Sequence, residues 1–221
     1  TNGIAGKDYE NNEDMSKLNF GADAKVSIGN GMNLDITVNP DFSNVEVDNF
    51  VTNLTRFEVS LPERRQFFID NSDLFGSFGN NRDANPFFSR RIGIAENLDE
   101  ETIENGIVAG IRLSGKINEN WRLGLLNIQT EEDEENHIPS NNNTVFALQK
   151  KLFSRSNLSF LFVNRQTFKE YDFLEEMDRY NRVIGLDYNL ASADNTWTGK
   201  FYYHKAFAHE LGHRDGSGGV D

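Results

Sequence analysis

The chain has 221 residues and a formal net charge of −13, and 37% of its residues are hydrophobic. This negative charge disfavours nucleic acid as a partner, because a phosphate backbone would be repelled. The absence of cysteine excludes disulfide bonds and thiolate metal sites. No run of about 18 apolar residues is present, which excludes a transmembrane helix. Eighteen phenylalanines among few aliphatic residues indicate an all-β protein.

The first predicted elements follow a polar start. Residues 1–20 show no apolar period, and we expect them to form a polar lead-in. From Ala22 to Val38, apolar residues alternate with polar ones on both sides of Gly29-Asn30-Gly31. Alternation with period two and a glycine and asparagine turn predict a β-hairpin.

Three more pairs of strands are predicted, over residues 107–125, 144–163 and 184–205. In the second and fourth pairs, one face is apolar and the other is polar or charged, which brings the total to about eight strands. The connections alternate in length along the chain. Those inside each pair are tight, whereas residues 40–105, 131–143, 166–180 and everything from 206 onward form long connections.

These features are typical of an antiparallel transmembrane β-barrel, whose strands present an apolar face to lipid and a polar face to the lumen. We therefore expect residues 21–206 to be a barrel segment, and we expect further strands beyond Asp221 to complete a larger barrel. Residues 207–221 read as a glycine-rich loop at a truncated end. A soluble antiparallel sandwich shows the same alternation and is the competing fold.

The connection 40–105 contains arginines next to phenylalanine pairs, at Arg64-Arg65 near Phe67-Phe68 and at Arg90-Arg91 after Phe87-Phe88. A guanidinium group suits planar anions, so Arg56, Arg64, Arg65, Arg90 and Arg91 are candidates for binding a carboxylate, a phosphate or a sugar acid. The interpretation we favour is structural. The arginines would pair with carboxylates of the inner wall such as Asp23 and Asp35, and so hold the segment in the lumen as a plug.

A zinc-protease motif occurs near the end of the chain, where His209, Glu210 and His213 fit the H-E-x-x-H pattern. The motif requires a helix, but Gly212, Gly216, Gly218 and Gly219 surround it and lower helix propensity. Gly219 also occupies the position of the third ligand in the extended motif and cannot bind metal. We therefore predict an exposed loop, no catalytic residue and no cofactor, and keep a zinc metalloprotease as the last alternative.

Several runs in this order resemble an outer-membrane β-barrel family of Bacteroidota, whose members often carry a domain of unknown function after an N-terminal family 9 carbohydrate-binding domain. The runs are Gly21 to Val26, Val38 to Phe42, Val51 to Glu58, Pro62 to Phe68, Phe88 to Gly93 and Gly185 to Asn189. One departure is Gln66, which stands where members commonly have proline. The resemblance does not extend to the carbohydrate-binding domain.

The resemblance implies a location in the cell outer membrane, with lipid as a partner and extracellular glycan as a second one. It implies a barrel protein that serves glycan handling or envelope transport. The alternative is a carbohydrate-binding or glycoside-hydrolase-associated surface protein. Nothing in the residues themselves supports a hydrolase mechanism, since no nucleophile elbow or phosphate-binding loop is present. We expect this segment not to be an enzyme.

Overall fold

The computed structural model describes residues 2–7, 14–40, 63–80, 85–99, 101–175, 178–208 and 214–217. The strands are β1 (Asn2–Lys7), β2 (Asp14–Asn19), β3 (Ala22–Ile28), β4 (Met32–Val38), β5 (Ile94–Glu96), β6 (Thr102–Glu104), β7 (Ile107–Lys116), β8 (Trp121–Thr130), β9 (Asn142–Leu152), β10 (Ser156–Gln166), β11 (Tyr180–Ala191), β12 (Thr198–Ala208) and β13 (Arg214–Ser217). Two single-turn α-helices, α1 (Gln66–Ile69) and α2 (Asp73–Gly76), and a 3-10 turn (Ser89–Arg91) lie between β4 and β5.

Nine of these strands form one antiparallel sheet in the order β3-β4-β7-β8-β9-β10-β11-β12-β13. All neighbours are also consecutive along the chain except β4 and β7, which pair across residues 39–106, with Asp35 opposite Arg112. The all-β prediction is therefore confirmed. The eight strands predicted from alternation are β3, β4 and β7 to β12. Within the part of the chain that the structure describes, the sheet is open, with β3 and β13 at its edges.

Besides its outer strands, the sheet has two edges formed by the ends of its strands. The four tight turns lie at one of these edges and the long connections lie at the other. Backbone bonds tie neighbouring turns together, from Lys116 to the carbonyl of Gly31 and from Lys151 to that of Asn120, at 2.7 and 2.8 Å. At the opposite edge the strand ends are joined by bonds such as Thr130 N–H to the Asn141 carbonyl, at 2.9 Å. Because consecutive strands are antiparallel, the predicted alternation places all the tight connections at one of these edges and all the long connections at the other.

The two faces of the sheet differ in what covers them. Residues 63–80 and 85–93, which we call the docked segment, pack against one face, the covered face. The buried side chains of β8 to β12 lie mainly on the covered face, for example Leu126, Val145, Leu161 and Asp187. The other face, the open face, carries rows of apolar residues in register, including Leu123, Leu148, Phe160, Leu186 and Tyr203.

Both ends of the chain contain strands that the residue pattern did not predict. The expected lead-in 1–20 contains β1 and β2, which pair as a separate two-stranded sheet. In the expected glycine-rich loop 207–221, β12 continues to Ala208 and β13 pairs with it in antiparallel register. Both regions are polar or rich in glycine, so apolar alternation gave no signal there. No helix among the described residues is long and apolar enough to cross a membrane.

Candidate functional site

The candidate site is the interface between the docked segment and the covered face. An apolar cluster forms its centre and joins residues of both partners. The segment contributes Phe68, Leu74, Phe75, Phe78 and Ile92, and the sheet contributes Ile107, Leu126, Ile128, Val145, Ala147 and Leu161. Burying a phenylalanine or leucine side chain stabilises by about 1.5–3 kcal/mol. This cluster therefore supplies the main apolar attachment of the segment.

Glycines in the sheet make room for aromatic rings of the docked segment. A Cβ atom at Gly124 would lie 2.7 Å from Cζ of Phe75, and one at Gly110 would lie 3.2 Å from Cζ of Phe67. Glycine in a strand is usually destabilising, because it adds backbone entropy to the unfolded chain. Here the missing side chain lets a ring approach the sheet backbone, which accounts for glycine at position 124.

We expect Gly124→Ala to lower the free energy of unfolding by about 1–3 kcal/mol, because the added methyl group overpacks a buried ring. Urea titration of the refolded protein measures the effect. The matched control is Gly76→Ala in α2, where an added Cβ meets nothing within 4 Å, so this variant should be neutral or slightly stabilising. A Phe75→Leu background should relieve most of the Gly124→Ala cost. Equal costs for the two alanine variants would contradict the packing we describe.

Arg112 is 1% exposed and is the most deeply buried arginine of the interface. Its Nη2 donates to Oδ2 of Asp35 at 2.8 Å, and its Nη1 donates to the backbone carbonyl of Asp70 at 2.8 Å. The guanidinium also lies over the ring of Phe67 at 5.3 Å. Lys25 of β3 completes the group by bonding to the Asp70 carboxylate. The strands on either side of β4, which are β3 and β7, thereby hold Asp70, the residue that follows α1.

A second charged contact holds α2. Both terminal nitrogens of Arg122 in β8 donate to the Asp73 carboxylate, at 2.6 and 3.1 Å. The hydrogen bond from Arg122 lowers the pKa of Asp73 below its usual value, although partial burial opposes this shift. The hydrogen bond from Lys25 likewise lowers the pKa of Asp70. Asp70 and Asp73 are therefore both ionised at neutral pH.

The third contact lies on β11 and β12 and is centred on Asp187. Its Oδ1 lies 2.7 Å from Nε2 of His204, and its Oδ2 accepts a bond from the backbone N–H of Gly79 at 2.7 Å. Lys200 approaches the same carboxylate at 3.4 Å and donates to the carbonyl of Ser77 at 2.6 Å. Gly79 has φ +65°, a conformation that favours glycine. The turn after α2 is thus fixed to the sheet through its backbone.

Arg65 acts within the docked segment rather than toward the sheet. Its Nε and Nη2 donate to the two oxygens of Glu63, at 2.9 and 2.8 Å, and Nη2 also donates to the carbonyl of Ser89 at 2.8 Å. Its Nη1 bonds to the carbonyl of Ile92. The guanidinium joins the beginning of the segment to its 3-10 turn.

The partner of Arg65 therefore differs from our expectation. Arg65 pairs with Glu63, and Asp35 of the sheet pairs with Arg112 instead. The sheet supplies most of the cations at the interface, and the segment supplies carboxylates and carbonyl oxygens. Of the other candidates, Arg64 and Arg91 are exposed and Arg90 is half-buried, each with at least one interaction.

Four predicted residues, Arg56, His209, Glu210 and His213, lie outside the described residues. Among the residues that are described, no group of three or more histidine, aspartate or glutamate side chains could hold a metal ion. The zinc motif thus stays a prediction from the sequence.

A cavity of about 190 Å³ remains between the docked segment and the sheet. Phe68, Phe75, Phe87 and Leu126 give it apolar walls, and Arg112 and Ser72 add polar atoms. Because the Arg112 guanidinium already donates to Asp35 and to the Asp70 carbonyl, the cavity lacks an uncommitted charge to select a ligand. Its arrangement fits a packing gap better than a catalytic pocket.

Two of the long connections are joined to each other at the edge opposite the tight turns. Lys169 binds Glu132 and Glu134 at 3.0 and 2.9 Å, and the Tyr171 hydroxyl donates to Glu132 at 2.6 Å. These contacts, led by the bond from Tyr171, lower the pKa of Glu132. The rings of His137 and Phe173 stack with their centroids 4.9 Å apart. The acidic run 131–135 is therefore partly neutralised within a network rather than arranged around a cation.

Sequence reasoning missed the anchoring roles of Arg122, Asp187, Lys200 and His204. Each lies at a polar position of an alternating strand, which placed it on the polar face. The identity of its partner depends on which part of the connection 40–105 docks where, and alternation carries no information about that.

Comparison with known proteins gives one family. The family model described as "Domain of unknown function (DUF5916)" matches residues 3–210. No curated protein and no solved structure matches the chain.

Proposed function

The chain belongs to the family described as a domain of unknown function, DUF5916, and we propose that its nine-stranded sheet is part of a membrane-spanning β-barrel in the outer membrane. The open face would contact lipid, and the docked segment would occupy the lumen as a plug. Further strands would pair with the edges β3 and β13, because unpaired backbone groups are costly in lipid.

The observation that carries this proposal is the distribution of buried charge and exposed apolar surface. Asp35, Arg112, Asp187 and His204 are buried on the covered face, whereas Ile111, Leu125, Ile184, Leu186 and Phe201 on the open face are 37–49% exposed. A soluble sandwich buries its apolar face against a second sheet. A lipid-facing wall shows the opposite arrangement, with apolar residues outside and charged residues inside.

Strand length agrees with the same proposal. The strands β7 to β12 contain 10–12 residues each. A tilted strand of about 9–11 residues crosses the hydrocarbon core of a bilayer. Tight turns at one edge and long connections at the other are also the arrangement of outer-membrane barrels.

Envelope transport is the role that a plugged lumen supports most directly. A segment that fills the lumen blocks solutes until it moves, and the docked segment is held by charged contacts as well as by apolar packing. Charged contacts can exchange with water without exposing apolar surface. Glycan as an extracellular partner stays a prediction from the resemblance.

Fluorescence quenching by brominated lipids tests the membrane assignment. Trp121 and Trp197 are the two tryptophans of the chain and flank tight turns. In phosphatidylcholine vesicles, bromines near the headgroup should quench them more than bromines near the chain ends. Phe160→Trp, made with both native tryptophans changed to phenylalanine, places a probe in the middle of β10 on the open face. Its strongest quenching should come from the deep bromines.

The paired probes separate three outcomes. Shallow quenching of the native tryptophans with deep quenching of Phe160→Trp supports a strand that spans the bilayer. Shallow quenching at all three positions describes a protein lying on the surface and rejects the barrel. A protein that shows no quenching and stays monomeric in buffer without detergent also rejects it.

A further inference from the structure

The edge of the sheet that carries the tight turns is basic. We call residues 29–31, 116–121, 150–155 and 192–197 the tight-turn edge. Its exposed cations are Lys116, Lys150, Lys151 and Arg155, and its acidic residues are Glu119 and Asp194. None of the four cations has an ion-pair partner among the described residues, unlike Lys25, Arg112 and Arg122 deeper in the sheet. This edge therefore presents net positive charge on a chain whose total is −13.

Large aromatic side chains accompany these cations. Phe153 is 85% exposed and has φ +54°, and Trp197 is 73% exposed. A left-handed conformation is unfavourable for an aromatic residue, and an exposed ring gains nothing from packing within the chain. Neither the local backbone nor the described fold accounts for phenylalanine at position 153. Nearby, the ammonium of Lys150 lies 5.1 Å from the ring centre of Trp121.

The opposite edge has the reverse charge. The connection between β8 and β9 carries five consecutive carboxylates at 131–135, and Lys169 is already bound to two of them. Between the two edges lie the apolar rows of the open face, which end in the aromatic residues of the tight-turn edge. The sheet is thus polarised along its strands, from basic and aromatic to acidic.

We propose that the tight-turn edge binds the headgroups of anionic phospholipids and so fixes which leaflet this edge enters. The inference rests on the proposed barrel, because the open face must lie in the hydrocarbon core for the edge to reach the headgroups. Ammonium and guanidinium groups pair with lipid phosphates. Aromatic rings such as Trp197 and Phe153 settle at the boundary between headgroups and acyl chains.

The cations of the tight-turn edge attract an anionic membrane surface, whereas the acidic edge is repelled by such a surface. Each lysine or arginine near an anionic membrane strengthens binding roughly fivefold, and the effect is confined to about a Debye length. The carboxylates of 131–135 would be repelled by the same surface. Both terms favour one orientation, with the tight turns in the leaflet that contains anionic phospholipid and the long connections away from it.

The test compares two variants that remove the same charge from opposite edges. One carries Lys116→Gln, Lys151→Gln and Arg155→Gln at the tight-turn edge. The control carries Arg165→Gln, Lys169→Gln and Arg179→Gln near the long connections. Each refolded chain is mixed with vesicles of phosphatidylcholine alone, or of phosphatidylcholine with phosphatidylglycerol, and partitioning is measured by flotation.

We expect the wild-type chain and the control to prefer the anionic vesicles, and the tight-turn variant to lose that preference by on the order of 100-fold, the product of three charges. The preference should shrink at 1 M salt, where the Debye length is about 3 Å. Equal loss in both triple variants, or no preference in the wild type, overturns the inference. Binding to vesicles of pure phosphatidylcholine tests the proposed barrel independently of the leaflet inference. Its absence counts against the proposed function, and its presence without an anionic preference counts only against the leaflet inference.

Discussion

Replacement of Leu186 by arginine should lower the free energy of unfolding in a bilayer by about 2–4 kcal/mol, the cost of a charge on the lipid face at mid-depth. Leu186 lies in the middle of β11 on the open face and is 49% exposed. On a soluble sheet, arginine at so exposed a position would change stability by about 0.5 kcal/mol or less. The size of the destabilisation therefore shows whether the open face contacts lipid or water.

The control uses the same substitution at Leu190, four residues along the same face and next to the tight turn. Arginine near the interface costs about 0–1 kcal/mol, because the side chain can reach the headgroups. Reversible urea unfolding from vesicles gives both values. If Leu186→Arg and Leu190→Arg destabilise equally, or if neither destabilises, the open face does not meet lipid.

Replacement of Arg112 by methionine should cost about 3–5 kcal/mol, since it leaves the buried carboxylate of Asp35 with only the longer contact to Lys25, at 3.7 Å. The same change removes the donor to the Asp70 carbonyl and the contact with the Phe67 ring. These two contacts join the docked segment to the sheet, whereas the pair with Asp35 joins β7 to β4. Urea unfolding measures the total, and limited proteolysis of residues 63–93 shows whether the segment detaches before the sheet unfolds.

Arg122→Met is the matched control for this experiment. Arg122 also pairs with a carboxylate of the docked segment, but Asp73 is largely exposed, so the pair should contribute only about 0–1 kcal/mol. Adding Asp35→Leu to Arg112→Met should recover part of the loss by removing a buried carboxylate that has lost its hydrogen-bonded cation. If Arg112→Met and Arg122→Met lower the free energy of unfolding by similar amounts, the buried contacts of Arg112 do not hold the docked segment.

Most of the sheet could be predicted from the sequence because its strands obey one physical rule. Each strand from β7 to β12 has one face that meets the docked segment and one that does not, so apolar and polar residues alternate with period two. Gly29-Asn30-Gly31 marked the first of the tight turns. The strands β1, β2 and β13 lacked apolar alternation and were not predicted.

The interface was less accessible to sequence reasoning. The helices α1 and α2 have four residues each, too few to show a helical period. Asp35 meets Arg112 only because β4 pairs with β7 in a particular register, although residues 39–106 separate the two strands in the sequence. Arg65 pairs with Glu63, two residues away, whereas the wall carboxylate of Asp35 pairs with Arg112. The sequence shows which side chains are charged, but the register of the strands determines which of them form ion pairs.

The pairing of β4 with β7 also determines the order in which the sheet can form. The other strand pairs described between β3 and β12 are hairpins closed by short or moderate connections, whereas β4 and β7 must close residues 39–106. Loop-closure entropy makes this pairing roughly 2–3 kcal/mol more costly than a tight hairpin. Docking of Phe75 against Gly124 before the strands meet would shorten that loop. The segment that fills the covered face would then also serve as the folding template that brings β3 and β4 to the rest of the sheet.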